Sequence, residues 1–151
     1  MVAFQSAGLF ELSTDTVINL CAGLFILPFF LFSATAGQLA DKYDKAQLIR
    51  LFKLLEIVIM SCAAFALWQR SLPALIALVF LMGFQSSLFG PVKYGILPQL
   101  LDDRELLGGN GLIETGTFLA ILLGTAAGGL LIGIEGNGQL FVAVVVIVIA
   151  F

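Results

Sequence analysis

Histidine is absent from this sequence, and charged residues make up only 11% of its 151 positions. A soluble domain carries about 25% charged residues, so the composition excludes an ordinary water-exposed surface. Without histidine, neither a cysteine–histidine catalytic pair nor a histidine-containing zinc site can form. The sequence therefore predicts no catalytic residue, no metal site and no cofactor.

Cysteine and basic charge are also scarce. Cys21 and Cys62 lie in apolar runs without a CxxC pattern, which predicts two small, buried apolar residues. The formal net charge of −3 lacks the basic excess that a nucleic-acid partner requires. The apolar stretch 1–10 has no basic lead and no processing pattern, so it does not resemble a secretory signal.

Apolar residues in long runs dominate the chain instead. It is 60% hydrophobic, it contains 14 phenylalanines, and its mean hydropathy is +1.10. A membrane-spanning helix needs about 20 predominantly apolar residues. We predict four such spans, at residues 16–36, 48–68, 72–92 and 112–134. The predicted fold class is all-α, a polytopic bundle of membrane helices whose main partner is the lipid bilayer.

The segments outside these spans are shorter. Residues 1–10 and 140–151 are apolar over about half a span each. We interpret them as membrane helices cut by the boundaries of this chain; the alternative is two short buried segments in a complete small protein. Residues 97–109 place leucines around a charged cluster, which favours a short amphipathic helix at the membrane surface or a solvated loop. Residues 108–110, Gly-Gly-Asn, are predicted to break the chain before the last full span.

Basic residues are concentrated on one side of the predicted bundle. The connection after the first span contains Lys42 and Lys45, and the connection after the third contains Lys93 and Arg104. Between the second and third spans, Arg70 is the one basic residue. Because cytoplasmic connections carry the excess of Lys and Arg, we predict that the connections after the first and third spans are cytoplasmic and that the connection with Arg70 lies on the other side.

The first of these connections is the stretch GQLADKYDK, residues 37–45. One interpretation is a solvated turn, in which Gly37 lets a neighbouring backbone approach and the charges stay in the headgroup layer. The stretch also resembles the major facilitator superfamily signature G-x-L-A-D-R-x-G-R-K, with Asp44 where glycine is usual and Ala46 where a second basic residue is common. The resemblance implies a gating motif that latches the two halves of a transporter, made of Gly37, Asp41, Lys42 and Lys45.

A second pattern is more specific. FGPVKYGILPQLL, residues 89–101, and ELLGGNGLIETGTFLAILLGTAAGG, residues 105–129, resemble the lysophospholipid transporter branch of that superfamily. The resemblance implies the amino-terminal six-helix half of the fold, with residues 1–10 as the end of its first helix and 140–151 as the start of its sixth. It further implies a multi-pass protein of the bacterial inner membrane that moves lysophospholipid toward the cytoplasmic leaflet by alternating access. A fused or separate acyltransferase would then restore the second acyl chain.

An acidic residue lies within the last full span. Glu114 shares one helical stripe with Thr117, Gly124 and Gly128. An ionisable group at depth costs about 2.5–3.5 kcal/mol on insertion scales, so it tends to face a cavity or a partner. We predict a cavity or gating role for Glu114, with an interfacial salt bridge as the alternative. The GxxxG spacing of the glycines in this helix predicts close helix packing.

Two lysines complete the candidate substrate or cavity residues. Lys53 and Glu56 are spaced i, i+3 and can pair; alternatively, Lys53 faces the cavity and attracts a lipid phosphate. Lys93 follows Gly90 and Pro91, a predicted kink or helix end. Its side chain either snorkels to the headgroups or binds a substrate phosphate.

Two other functions are compatible with parts of the pattern. A proton-coupled exporter of small amphipathic compounds keeps the same fold, with Glu114 as the proton carrier. A membrane anchor of a fused acyltransferase is the other alternative. The sequence contains neither a histidine–acid acyltransferase motif nor a glycine-rich nucleotide loop, so we predict that this segment is not an enzyme.

Overall fold

The computed structural model describes residues 13–133 and 138–150, and it contains helices without any strand in those ranges. The helices are α1 (Thr14–Lys42), α2 (Lys45–Trp68), α3 (Leu72–Gly95), α4 (Leu97–Leu100), α5 (Leu106–Ile132) and α6 (Gly138–Ala150). Four of them, α1, α2, α3 and α5, are long and apolar enough to cross a membrane. This confirms the predicted all-α bundle of membrane helices. The prediction for residues 1–10 lies outside the described residues.

The helices extend beyond the predicted spans. α1 continues to Lys42, and α3 continues through Pro91 to Gly95 rather than ending at Gly90 and Pro91. The predicted spans were bounded by the ends of the apolar runs, and the length of an apolar run corresponds to the thickness of the hydrocarbon core. A helix can continue into the headgroup layer, where charged side chains are tolerated and its backbone groups stay hydrogen-bonded.

The connection before α5 also differs from the prediction. α4 is a four-residue helix, and α5 begins at Leu106, so Gly108, Gly109 and Asn110 lie inside α5 and do not break the chain. A glycine within a helix costs about 1 kcal/mol relative to alanine. That cost is smaller than the cost of several unsatisfied backbone groups near lipid, so the helix starts early.

Local hydrogen bonds fix the hairpin between α1 and α2. The Asp44 carboxylate caps α2 by accepting a hydrogen bond of 2.9 Å from the backbone N–H of Gln47. Aspartate is a favoured N-cap residue because its side chain satisfies an otherwise unpaired N–H of the first turn. Asp44, one of the two residues that depart from the superfamily signature, therefore has a structural role of its own.

Helix α3 occupies the centre of the described bundle, with α1 and α2 packed against it and α6 packed against α2. A Cβ atom built on Gly83 of α3 would overlap the backbone carbonyl of Phe25 in α1. The ring of Phe84 packs edge-on against Phe32, with 4.9 Å between ring centroids. Glycine at position 83 thus allows the close backbone approach that holds α1 against α3.

A cluster of buried apolar residues lies near the α1–α2 hairpin and consists of Ala40, Leu48, Phe52 and Val92. Gln85 is buried beside it, and its side-chain amide donates a 3.4 Å hydrogen bond to the Phe52 carbonyl. Most other apolar side chains are exposed, as expected for surfaces that face lipid.

The prediction of two buried cysteines was wrong. Cys62 is exposed on α2, and Cys21 is half-buried on α1. An apolar neighbourhood in the sequence indicates burial only when water is the solvent. In a membrane helix the same neighbourhood also describes the lipid-facing side.

Candidate functional site

A polar cluster joins the end of α3 to α5. The Lys93 ammonium lies 3.1 Å from the Thr117 hydroxyl oxygen and donates to it. The Thr117 hydroxyl in turn donates to the Ile113 carbonyl at 2.8 Å, one helical turn earlier. Both side chains are half-buried. These bonds hold the lysine against α5, which differs from a lysine that extends freely to the headgroups.

Tyr94 and Glu114 form a second contact between α3 and α5. The Tyr94 hydroxyl donates a hydrogen bond to a carboxylate oxygen of Glu114. The Lys93 ammonium also lies 4.8 Å from the centroid of the Tyr94 ring, within cation–π range. We call the four residues Lys93, Tyr94, Glu114 and Thr117 the α3–α5 cluster. It brings one cation and one carboxylate, each in contact with Tyr94, into one cluster on two membrane helices.

The chemistry of this cluster suits a zwitterionic ligand. A lysine ammonium has three N–H donors, and one of them is used by Thr117. The remaining donors can bind phosphate oxygens. The Glu114 carboxylate has two oxygens, and Tyr94 bonds one of them. An ionised carboxylate with spare acceptor sites attracts a ligand ammonium.

Lys53 and Glu56 form a separate ion pair on α2. Lys53 Nζ lies 2.8 Å from Glu56 Oε2, as the i, i+3 spacing predicts. The lysine side chain is 56% exposed and the glutamate 24%. No hydrogen bond within the described residues joins this pair to Lys93 or Glu114. The geometry favours a structural role, in which each charge lowers the cost of placing the other near lipid.

The members of the predicted gating motif lie on both sides of the α1–α2 hairpin. Asp41 and Lys42 are exposed at the end of α1, and Lys42 lies 5.6 Å from the centroid of the Tyr43 ring. The Lys45 stem crosses the end of α3, where a Cβ on Gly95 would stand 3.0 Å from Lys45 Cε. The ion pair found in residues 13–133 and 138–150 involves none of them. Their latching role stays a prediction.

Two predictions of close packing at glycine find no partner within the described part of the chain. No described atom lies within 4 Å of a Cβ built on Gly37, or on Gly124, Gly128 and Gly129 of α5. The close approach in the described bundle occurs at Gly83 instead. GxxxG spacing shows that a helix face is smooth, but it does not identify a helix that packs on it.

Sequence reasoning missed Tyr94 and Gln85. Tyr94 follows Lys93 directly, and the combination of an aromatic hydroxyl with a lysine at a helix end was an available signal. Gln85 was the only amide side chain in the uncharged run 71–92. A buried amide in such a run needs a hydrogen-bond partner, and the structure provides the Phe52 carbonyl.

Comparison with known proteins agrees with the resemblance described in the sequence analysis. The profile of the Major Facilitator Superfamily matches residues 2–151. The chain is 34% identical over 108 residues to the lysophospholipid transporter LplT of Klebsiella pneumoniae, covering 72% of this chain and 26% of that protein. It is 37% identical over 112 residues to LplT of Photorhabdus laumondii, with the same coverage.

LplT of Escherichia coli O1:K1 is 31% identical over 128 residues, or 85% of this chain and 30% of that protein. The chain therefore spans between a quarter and a third of the length of these relatives. No solved structure shows a significant match.

Proposed function

The chain belongs to the major facilitator superfamily, and we propose that the protein containing it transports lysophospholipids across a bacterial membrane. The support is the similarity to proteins named lysophospholipid transporters, together with four helices of membrane-spanning length. Since the relatives are three to four times longer than the matched segment, the transport activity belongs to the whole protein.

The observation that carries the proposal in the structure is the α3–α5 cluster. We infer that Lys93 binds the lysolipid phosphate, because its donors are not consumed by an ion pair within the described residues. Glu114 would accept a hydrogen bond from the ammonium of an ethanolamine headgroup. The acyl chain needs no polar partner, so it can stay in contact with apolar helix surfaces and lipid.

The proposal extends to the direction of lysolipid transport and to its mechanism. By the distribution of Lys and Arg, the α3–α5 cluster lies toward the cytoplasmic side. We propose that the two halves of the full protein rock around a headgroup site and release the lysolipid into the cytoplasmic leaflet of the inner membrane. There, an acyltransferase would consume it by adding the second acyl chain. The hairpin motif at Asp41, Lys42 and Lys45 would hold one of the two states.

The test is transport of labelled lysophosphatidylethanolamine by the full-length protein in vesicles. We expect a rate well above that of empty vesicles. Lys93→Gln should lower transport at least about ten-fold, since a charge-assisted hydrogen bond contributes about 1.5–3 kcal/mol. The matched control is Arg104→Gln, which removes an exposed basic residue on the same side of the bundle and should transport normally.

The same assay with a cationic dye distinguishes the exporter alternative. Transport of the dye without transport of the lysolipid would overturn the proposed function. If the wild type and Lys93→Gln transport lysolipid equally, the transport proposal stands, but Lys93 does not bind the lysolipid phosphate.

A further inference from the structure

A second feature lies at the opposite end of the bundle from the α3–α5 cluster. A groove of about 580 Å³ opens between α2 and α3. Its lining is almost entirely apolar and includes several small residues, among them Cys62 and Ala66 of α2 and Ala74 and Ala77 of α3. Its volume lies within the range of about 300–1,000 Å³ that small-molecule sites occupy.

The length of this groove along α2 is close to the hydrocarbon thickness of one bilayer leaflet. On α2 its lining runs from Ser61 to Gln69, a rise of about 12 Å at 1.5 Å per residue. One leaflet contributes about 15 Å to the hydrocarbon core. Trp68, which is 66% exposed beside the Gln69 end, is the residue type enriched at the headgroup level. A groove of this length fits the acyl chain of a lipid. A membrane helix would need a groove about twice as long, because it crosses both leaflets.

A cation stands at the headgroup end. Arg70 follows Gln69 in the chain, is exposed, and is the basic residue of the α2–α3 turn. Its backbone has φ 54°, in the left-handed region, which non-glycine residues rarely adopt. Hydrogen bonds from the Arg70 N–H to the Leu67 carbonyl and from the Ser71 N–H to the Ala66 carbonyl hold this conformation. The turn therefore places Arg70 directly after Gln69, a residue that lines the groove.

We propose that this groove binds a lysophospholipid from the non-cytoplasmic leaflet, with its acyl chain between α2 and α3 and its phosphate on Arg70. The proposal rests on the proposed transport function and adds a first binding position, distant from Lys93. The chemistry is complementary at both ends, since guanidinium groups bind phosphate in a bidentate manner and the lining is apolar. The positive-inside distribution predicts that this end faces away from the cytoplasm.

Cys62 provides a direct reporter, because it is exposed and lines the groove. The experiment uses the full-length protein in vesicles, with Cys62 as its single cysteine, and measures the rate of labelling by a bilayer-soluble maleimide. Lysophosphatidylethanolamine added to the leaflet at the Arg70 end should slow labelling, and diacyl phosphatidylethanolamine should slow it less. Ala77→Phe, which fills the groove, should abolish the protection by lysolipid.

Arg70→Gln should raise the KM for lysolipid transport about three- to ten-fold with kcat unchanged, because a partly exposed charged contact is worth less than a buried one. Arg70→Lys should restore part of the affinity. Arg50→Gln, at the other end of α2, is the matched control and should leave KM unchanged.

The outcomes separate the two proposals. If the wild type transports lysolipid but Cys62 labelling does not respond to it, or if Arg70→Gln and Ala77→Phe transport with an unchanged KM, the groove proposal is overturned. If the wild type transports no lysolipid, the function proposal fails, and Cys62 protection then reports separately on whether the groove binds it.

Discussion

The Tyr94 hydroxyl and the Glu114 carboxylate join two helices, α3 and α5, that have few close backbone approaches. The adjacent contact between Lys93 and Thr117 adds a second connection. Hydrogen bonds between membrane helices contribute about 0.6 kcal/mol on average and up to about 2 kcal/mol. Because apolar packing between these helices is sparse, the polar contacts have a large share in positioning α5.

A double-mutant cycle measures this contribution. Tyr94→Phe and Glu114→Gln should each lower the free energy of unfolding in detergent, with a coupling energy of about 1 kcal/mol between them. Tyr43→Phe is the control, because Tyr43 is exposed at the hairpin and its hydroxyl makes no hydrogen bond with other described residues. A coupling energy of zero would show that the Tyr94–Glu114 bond does not hold α3 against α5.

The residue identities of this site were predictable in part. Glu114 and Lys93 were found because charge is rare in an apolar run and expensive near lipid. Tyr94 was missed because a tyrosine at a helix end is ordinary in a membrane protein. The pairing of α3 with α5 could not be predicted, since helical periodicity identifies which residues share a face but not which helix that face meets.

Gly83 allows α1 and α3 to approach closely. A Cβ at Gly83 would overlap the Phe25 carbonyl, and backbone atoms cannot move aside as a flexible side chain can. Gly83→Ala should therefore destabilise the protein by about 1–3 kcal/mol, the usual cost of overpacking. Thermal unfolding in detergent measures this change.

Gly23→Ala on α1 is the matched substitution, because no described atom lies within 4 Å of a Cβ at that position. It should leave stability unchanged or raise it by up to about 1 kcal/mol, since alanine is the better helix former. Similar losses at both positions would contradict the close approach at Gly83.

Within the described residues, the four membrane-length helices and their order were predictable from the sequence. A charged residue inside the hydrocarbon core is costly, and three of the four spans contain an uncharged run of span length, whereas α2 is apolar but carries the Lys53–Glu56 pair. Helix ends were less predictable. α1 extends to Lys42 and α5 starts at Leu106. The hydrogen-bonded helix continues into the headgroup layer, where the side chains are polar and an apolar run no longer marks the helix. The long-range contact at Gly83 also could not be predicted, because the sequence shows the glycine but not its neighbour.

Across the entire bundle, one arrangement underlies the proposals for both sites. The α1–α2 hairpin must face the cytoplasm and the α2–α3 turn the opposite side, so that Lys93 and Arg70 serve different leaflets. Single cysteines at positions 42 and 70 of the full-length protein test this directly with a membrane-impermeant thiol reagent. We predict that Lys42→Cys reacts only from the cytoplasmic side and Arg70→Cys only from the other. Reaction of both positions from the same side would contradict the topology and every inference drawn from it.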